Sequence, residues 1–226
     1  MKNIATNLQQ IKDELPASCT LVAVSKTKPA TDIMAAYDQN QRDFGENKVQ
    51  ELTQKAEQLP KDIRWHMIGH LQSNKVKYIA PFIHLIHGVD SLKLLREINK
   101  QGQKSGRLIN CLLQIHIASE DSKFGFDKAE LKKLIENGEL KGFSSIKITG
   151  LMGMATLTKE EGKIRQEFKD LKNLFETFKD FQSENFVMQT LSMGMSGDYK
   201  IALEEDSNMV RVGSAVFGKR ETTDSN

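Results

Sequence analysis

The stretch from Leu21 to Pro29 holds the first candidate for chemistry. It reads Leu-Val-Ala-Val-Ser-Lys-Thr-Lys-Pro, so an apolar run leads into Lys26 and Lys28 before the proline stops the strand. A lysine at the end of a buried strand presents its amine to a cavity, where the amine can bind a carbonyl compound. We expect Lys26 to fill this role, because partial desolvation and the nearby Lys28 cation both disfavour its ammonium form. Spacing alone leaves two alternatives: Lys28 is the amine that binds the carbonyl, or both lysines are simply solvated.

Two loops rich in glycine and serine are candidates for a phosphate site. Residues 191–197, Leu-Ser-Met-Gly-Met-Ser-Gly, enter a predicted helix, whose N-terminal N–H groups attract an anion, and Ser196 adds a hydroxyl donor. Gly213 and Ser214 offer a second set of amides, and Gly213 lets the backbone approach a ligand closely. Ser196 as a plain helix N-cap is the alternative interpretation. The two loops follow the last two predicted strands, the usual phosphate site of an α/β barrel.

A lysine amine opposite a phosphate site indicates a ligand that is both an aldehyde and a phosphate. Pyridoxal 5′-phosphate (PLP) is the usual one, held by a lysine as a Schiff base. Arg211 shares a strand end with the phosphate amides. An arginine beside a pyridine nitrogen can only donate a hydrogen bond, so the nitrogen stays unprotonated and the ring is a poor electron sink. A barrel that binds another phosphate ligand, with Lys26 unmodified, is the alternative.

Helical and strand patterns alternate along the chain and predict the framework for these residues. Eight apolar strand segments, the seventh over 186–191, are each followed by a helix or the start of one. This order predicts an α/β fold, a single (β/α)8 TIM barrel with its chemistry at the carboxyl ends of the strands. A doubly wound open sheet is the competing architecture. We expect one domain over 1–226, with an N-terminal helix over 1–15, the longest helix over 160–181 and a polar tail over 219–226.

Composition excludes several classes of partner. The 226 residues carry a formal net charge of +2, with lysines spread along the chain, so there is no electrostatic footprint for nucleic acid. No apolar run is long enough to span a membrane. Cys19 and Cys111 are far apart and form no disulfide framework, which fits a reducing compartment. We therefore expect a cytoplasmic protein that contacts neither nucleic acid nor membrane.

Six motifs follow one another in a characteristic order. They are Ala-Val-Ser-Lys-Thr-Lys-Pro (23–29), Phe-Gly-Glu-Asn (44–47), Trp-His-Met-Ile-Gly-His-Leu-Gln-Ser-Asn-Lys (65–75), Gly-Leu-Met-Gly-Met (150–154), Leu-Ser-Met-Gly-Met-Ser (191–196) and Val-Arg-Val-Gly-Ser (210–214). On these motifs the chain resembles the YggS/PROSC family of PLP-binding proteins, also called PLP homeostasis proteins. The resemblance extends from about Leu8 to Lys219.

The resemblance implies both a fold and a set of site residues. The implied fold is a barrel like the N-terminal domain of alanine racemase. Lys26 is implied as the Schiff-base lysine, which decides between the two lysines, and Arg211 is implied near the pyridine nitrogen. The phosphate is implied on Ser196, Gly213 and Ser214. Family members commonly carry threonine where Ser214 stands, and the hydroxyl is retained.

Other residues are candidates for contacts with the cofactor, but their sequence signals are less specific. The resemblance suggests that His66 faces the ring, although a packed strand histidine is an equal alternative. Asn47 is a candidate for the phenolic side of the ring, or a polar residue at the start of a helix. Lys123 is a candidate for binding a ligand carboxylate at the barrel mouth, or part of a surface loop. His66 and His70 flank a strand end without an HExxH glutamate, so no metal site is predicted.

The function that the resemblance implies is to buffer PLP and supply it to other enzymes, and so to maintain vitamin B6 and amino-acid and keto-acid balance. We expect a monomer without strong catalytic turnover, with apo-PLP enzymes as its partners. A racemase of this fold needs a second base, typically a tyrosine, and a second β-domain, and this chain ends soon after its eighth strand. We expect Tyr199 on a helix surface. A slow PLP-dependent, racemase-like enzyme is the alternative.

Overall fold

The centre of the molecule is a closed barrel of eight parallel strands. The computed structural model describes residues 3–119, 124–181 and 183–218. The first strand pairs with the second on one side and with the eighth on the other, so the sheet closes on itself. This closure confirms the predicted TIM barrel and excludes the open sheet. The strands are β1 (Thr20–Val24), β2 (Asp43–Glu46), β3 (Arg64–Met67), β4 (Leu85–Val89), β5 (Ile109–Gln114), β6 (Ile146–Met152), β7 (Phe186–Met195) and β8 (Met209–Val212).

Helices cover the outside of the barrel, and at least one follows each strand. The first helix precedes β1 and packs against the second and the last helices. The helices are α1 (Ile4–Glu14), α2 (Ala30–Tyr37), α3 (Val49–Gln58), α4 (Val76–Ile79), α5 (Leu92–Ser105), α6 (Lys128–Glu136), α7 (Glu161–Thr177), α8 (Tyr199–Glu204) and α9 (Ser214–Phe217), with a 3₁₀ turn over Ser73–Lys75.

The alternation of side chains along the strands separates an inner from an outer core. In β1, Val22 belongs to a small cluster inside the barrel, whereas Leu21 and Ala23 belong to the large cluster between strands and helices. This is the period of two expected for barrel strands. The inner cluster consists of Val22, Leu85, Leu112, Met152 and Met209.

Nearer to the carboxyl ends of the strands, the barrel interior becomes polar. Because side chains alternate, the residue two positions after an inner apolar residue also faces inward. Three such pairs occur on different strands, and each polar member is buried. The pairs are Leu85 and His87, Leu112 and Gln114, and Met209 and Arg211. A polar layer therefore closes the barrel interior just below the end where chemistry is expected.

Two predicted boundaries are wrong. β7 continues to Met195, because Ser192 pairs with Met209 and Met195 pairs with Arg211 across to β8. The sequence prediction ended this strand at residue 191, because the serine and glycine that follow are typical of a loop. α7 ends at Thr177 rather than at 181, since the next residues form a turn, in which the Phe178 N–H donates to the Phe175 carbonyl.

The remaining predictions outside the barrel have mixed outcomes. Within the described ranges, no helix has the length and apolar character needed to cross a bilayer. Cys19 and Cys111 are both free thiols, as expected. The polar tail predicted over 219–226 lies outside the described residues.

Candidate functional site

A cavity of about 430 Å³ opens at the carboxyl ends of the strands. This is the end of the barrel at which enzymes of this architecture place their chemistry. All the predicted cofactor-site residues except His66 line the cavity. Its lining residues are Val24, Lys26, Lys28, Asn47, Ile68, Met154, Leu157, Met195, Ser196, Gly197, Arg211, Gly213, Ser214 and Gly218.

The structure distinguishes the two lysines that follow β1. The Lys28 ammonium donates hydrogen bonds to the carbonyl oxygens of Phe217 (3.2 Å) and Gly218 (3.0 Å), just beyond the last strand. Lys28 is buried and holds the end of α9 against the β1 loop. Lys26 is half-buried and lines the cavity. This arrangement favours Lys26 as the lysine that meets a ligand, and gives Lys28 a structural role.

The predicted phosphate loops meet at one wall of the cavity. The Ser196 hydroxyl oxygen accepts hydrogen bonds from the N–H groups of Gly213 (3.1 Å) and Ala215 (3.4 Å). Gly213 packs so closely on β1 that a Cβ atom there would lie 3.2 Å from Val24 Cβ. The hydroxyl and the backbone amides therefore converge before any ligand binds, and such a set of donors suits a phosphate.

Arg211 forms part of the cavity floor. Its Nη1 donates to Ser192 Oγ at 2.6 Å and its Nη2 donates to the Gly153 carbonyl at 3.0 Å. The residue is 3% exposed. Burial lowers the pKa of Arg211 to about 10, and the nearby Asp198 carboxylate opposes this shift. The guanidinium is still protonated at neutral pH, so it presents only hydrogen-bond donors.

Asn47 lines the cavity immediately after β2. Its Oδ1 atom is buried and has no hydrogen-bond partner among the residues that the structure describes. The backbone at this point is tightly fixed, because a Cβ atom on Gly69 would lie 2.6 Å from the Asn47 carbonyl oxygen. Buried polar atoms are nearly always hydrogen-bonded, so an orphaned amide oxygen in a cavity wall indicates a place where a ligand completes the contacts.

His66 is not among the residues that line the cavity. Its Nδ1 lies 2.9 Å from His87 Nε2, and its Nε2 lies 3.0 Å from Asp43 Oδ1. The residue is 1% exposed. His66 sits two residues, or about 6.6 Å along a strand, before Ile68, which does line the cavity. The alternative given from sequence, a packed strand histidine, describes its position.

A buried ion pair beneath the Lys26 loop was missed from the sequence. Lys55 Nζ donates to Glu46 Oε1 (2.7 Å), to Glu51 Oε1 (2.7 Å) and to the Ser25 carbonyl (2.8 Å). The Ser25 hydroxyl also donates to Glu46 Oε1, at 2.6 Å. Burial raises the pKa of Glu46, while the Lys55 ammonium and the Ser25 hydroxyl oppose this shift.

The same network fixes the backbone on both sides of Lys26. The Thr27 N–H donates to Glu51 Oε1 at 2.6 Å, and Thr27 adopts a left-handed φ of +63°. A β-branched residue adopts this conformation only where its surroundings enforce it. The i, i+4 spacing of Glu51 and Lys55 is visible in the sequence, but the contacts that Glu46 and Lys55 make with Ser25 depend on β1 and β2 being neighbours.

Two other expectations from sequence need comment. Tyr199 is buried rather than on a helix surface, because it begins α8 and its hydroxyl donates to Glu14 on α1 at 2.5 Å. Burial and this hydrogen bond raise the pKa of Tyr199 to about 12. Lys123, the candidate at the barrel mouth, lies outside the described residues.

A larger cavity, of about 530 Å³, lies at the opposite end of the barrel. Its wall includes Leu108 and Phe143, and Lys141 and Glu184 are its ionisable residues among those described. It brings no amine together with an anion-binding loop. We therefore place the candidate site at the cavity that contains Lys26, where an amine, a buried guanidinium and converging amides face the same space.

The barrel and its site define a class of proteins. Residues 1–221 match the family model described as "Alanine racemase, N-terminal domain". A solved alanine racemase, from Bartonella henselae, has the same fold: it is 19% identical with a TM-score of 0.70, and this chain covers 60% of its length. The resemblance at this level shows the shared fold.

Closer relatives narrow the class. A pyridoxal phosphate homeostasis protein of Synechocystis is 38% identical over 208 residues, which are 91% of this chain and 94% of that protein. Its counterpart in Escherichia coli K12 is 35% identical over 98% of both chains. PipY of Synechococcus elongatus, solved with PLP bound, is 34% identical with a TM-score of 0.87, over 96% of this chain and all of that one. This chain belongs to the family of pyridoxal phosphate homeostasis proteins.

The buried Glu46–Lys55 pair predicts a large effect on stability. Lys55→Met leaves the Glu46 carboxylate buried without its cation, so we expect the free energy of unfolding to fall by about 3–5 kcal/mol at pH 7 in urea denaturation. The exposed Lys48 is the matched control, and Lys48→Met is expected to change stability by less than about 0.5 kcal/mol.

The pH dependence of this deficit follows from the raised pKa of Glu46. A carboxyl group whose pKa is higher in the folded state favours folding when it is protonated, and this advantage is lost as pH rises through the folded-state value. The deficit of Lys55→Met relative to Lys48→Met should therefore be largest at neutral pH and shrink as the pH is lowered. A deficit that does not change with pH would contradict this assignment.

Proposed function

We propose that this protein binds PLP in the cavity at the carboxyl end of the barrel, buffers it, and delivers it to apo-enzymes. The single observation that carries the proposal is the convergence of three groups on one cavity. Lys26 supplies an amine, Arg211 a buried donor-only cation, and the region of Ser196 and Gly213 an anion site. The PLP-bound structure of PipY, which matches 96% of this chain over its own full length, supports the same ligand.

The residues present fit PLP. The cavity is large enough for one small heteroaromatic phosphate. Ser196, Gly213 and Ser214 would hold the phosphate, Lys26 would hold the aldehyde carbon through its amine, and Arg211 would donate to the pyridine nitrogen. The orphaned amide of Asn47 would complete its hydrogen bonds at the phenolic side, in either orientation of the amide. Met154 and Met195 form apolar walls.

The chain's own groups favour holding PLP over turning over a substrate. PLP supplies an electron sink when its ring nitrogen is protonated, and a carboxylate beside that nitrogen promotes this state. Arg211 cannot accept a proton, so it keeps the nitrogen unprotonated. A racemase of this fold uses a tyrosine as its second base. The hydroxyl of Tyr199 donates a hydrogen bond to Glu14, and its pKa is raised. Arg211 therefore discourages carbanion chemistry such as transamination, and Tyr199 is engaged with Glu14 rather than with the cavity.

The wider role follows from this chemistry. A bound aldehyde is shielded from reaction with other amines in the cell, so the protein limits free PLP while keeping it available. The proposal includes cytoplasmic location, a monomeric state and a single domain over residues 1–226, with apo-PLP enzymes as partners. The free cysteines support a reducing compartment. Maintenance of vitamin B6 and of amino-acid and keto-acid balance is the consequence.

Transfer of PLP to an apo-aminotransferase tests the delivery function. We expect the apo-enzyme to regain activity from PLP bound to this protein even when an aldehyde-trapping amine removes free PLP from solution. Free PLP at the same concentration serves as the control and is expected to fail under these conditions. Equal loss of reactivation from the bound and the free cofactor would contradict delivery.

Covalent attachment tests the assignment of Lys26. After incubation with PLP and reduction with borohydride, peptide mass analysis should find a pyridoxyl group on Lys26 in the wild type. Lys26→Ala should lose this modification, because its amine is absent. Lys28→Gln is the matched control and should keep it, since the Lys28 ammonium is engaged by backbone carbonyls. Modification at position 28 in the wild type would reverse the assignment.

The phosphate site predicts a selective loss of affinity. Ser196→Ala removes one hydrogen bond to a charged phosphate. We therefore expect the dissociation constant for PLP to increase about tenfold. Pyridoxal, which lacks the phosphate, should bind the variant and the wild type equally. Ser119→Ala, at a serine outside the cavity lining, is the control. Equal weakening of both ligands by Ser196→Ala would show that Ser196 supports the fold rather than the phosphate.

A further inference from the structure

Five polar side chains form a continuous chain of hydrogen bonds through the barrel interior. Arg211 Nη1 donates to Ser192 Oγ at 2.6 Å, and Ser192 Oγ lies 3.2 Å from His87 Nδ1. His87 Nε2 lies 2.9 Å from His66 Nδ1, and His66 Nε2 lies 3.0 Å from Asp43 Oδ1. The chain crosses from β8 through β7, β4 and β3 to β2, and so connects the cavity floor with the amino end of the barrel.

The two ends of this chain carry opposite charges, and the His87 ring in its middle is buried away from both. Burial lowers the pKa of His87 well below its usual value, with His66 and the Arg211 cation adding to the effect. Burial raises the pKa of Asp43, but the hydrogen bonds from Arg64 and His66 outweigh it and hold that pKa well below its usual range. A cation and a carboxylate are thus linked by a hydroxyl and two imidazoles.

One arrangement of protons gives every hydrogen bond of this chain a donor and an acceptor. Arg211 only donates, so Ser192 accepts from it, and the Ser192 proton is then available to His87 Nδ1. In this arrangement His87 carries its proton on Nε2 and donates to His66 Nδ1, and His66 carries a proton on Nε2 and donates to the Asp43 carboxylate. Bonds aligned in this way strengthen one another.

We propose that His87 and His66 are positioning residues for Arg211, which they tie through Ser192 to the Asp43 carboxylate. The proposal rests on the proposed function, in which Arg211 faces the pyridine nitrogen. With Nη1 anchored on Ser192 and Nη2 on the Gly153 carbonyl, the plane of the guanidinium is fixed at two points. Without His87, the Ser192 hydroxyl loses a partner that orients it, and the anchor at Nη1 is weakened.

Asp43 and His66 also belong to a different cluster. Together with His84 they place three potential metal-ligand atoms within 4.8 Å of one another. Arg64, however, donates to both Asp43 oxygens, from Nε at 2.7 Å and from Nη2 at 2.5 Å. The carboxylate already has a resident cation, so we assign it to the hydrogen-bond chain rather than to a metal ion.

The histidine tautomers test the chain without any cofactor. Nitrogen-15 NMR of the PLP-free protein, labelled at histidine, should show His87 as a neutral ring protonated on Nε2 at pH 7, and His66 with a proton on Nε2. The variants His66→Gln and His87→Leu assign the signals. A charged His87 ring, or a proton on His87 Nδ1, would overturn the proposal.

Ligand binding tests the positioning role itself. We expect His87→Leu to weaken PLP binding about tenfold. Binding of 1-deaza-PLP, which lacks the ring nitrogen, should be unchanged, because only a ligand with that nitrogen uses the anchored Arg211. Ser192→Ala interrupts the same chain, so it should show the same pattern and add no further loss in the double variant. His84→Leu is the control, since the His84 ring lies 5.4 Å from the His66 ring but is outside the hydrogen-bond chain.

The outcomes separate this proposal from the function on which it rests. Equal losses for both ligands, or no loss for either, would overturn the positioning role, because a merely structural residue does not discriminate by the ring nitrogen. If His87→Leu does not fold, Ser192→Ala and the wild-type tautomers decide. Failure of the wild type to bind PLP would overturn the proposed function, while the NMR result still decides whether the chain exists.

Discussion

The guanidinium of Arg211 is a cation inside a barrel, and much of the surrounding structure serves to satisfy it. An unpaired charge in such a place costs several kcal/mol, so its donors need partners within the interior. Ser192 and the Gly153 carbonyl supply them. The inner apolar layer at Val22 and Leu112 lies below, so the polar layer that includes Arg211 forms at the floor of the cavity. The cation is thereby held where a ligand meets it.

A second constraint is the sorting of three lysines around the β1 loop. Lys55 is committed to the Glu46 carboxylate and Lys28 to the carbonyls at the end of α9. Both contacts secure the backbone on either side of Lys26, which lines the cavity from the loop between them. The structure thus uses two ammonium groups to place the third, which would be hard to infer from the similar local sequence of Lys26 and Lys28.

The sequence predicted those features that depend on local pattern. Alternating strand and helix patterns gave the closed barrel, and the glycine–serine loops after the last two strands indicated where Ser196 and Gly213 meet. It did not predict contacts between residues distant in sequence. Nothing local indicates that His66 lies beside His87, or that Tyr199 reaches Glu14 on α1. The predicted end of β7 was wrong, because pairing with β8 outweighs the turn preference of serine and glycine.

The protonation state of the bound pyridine nitrogen decides whether Arg211 limits the ring as an electron sink. Nitrogen-15 NMR of this protein loaded with PLP labelled at the ring nitrogen measures that state. We expect the signal of an unprotonated, hydrogen-bonded pyridine nitrogen at pH 7, and a shift of that signal in Arg211→Lys. A pyridinium signal in the wild type would contradict the role proposed for Arg211, since it would show that the ring has the full electron sink of a catalytic cofactor.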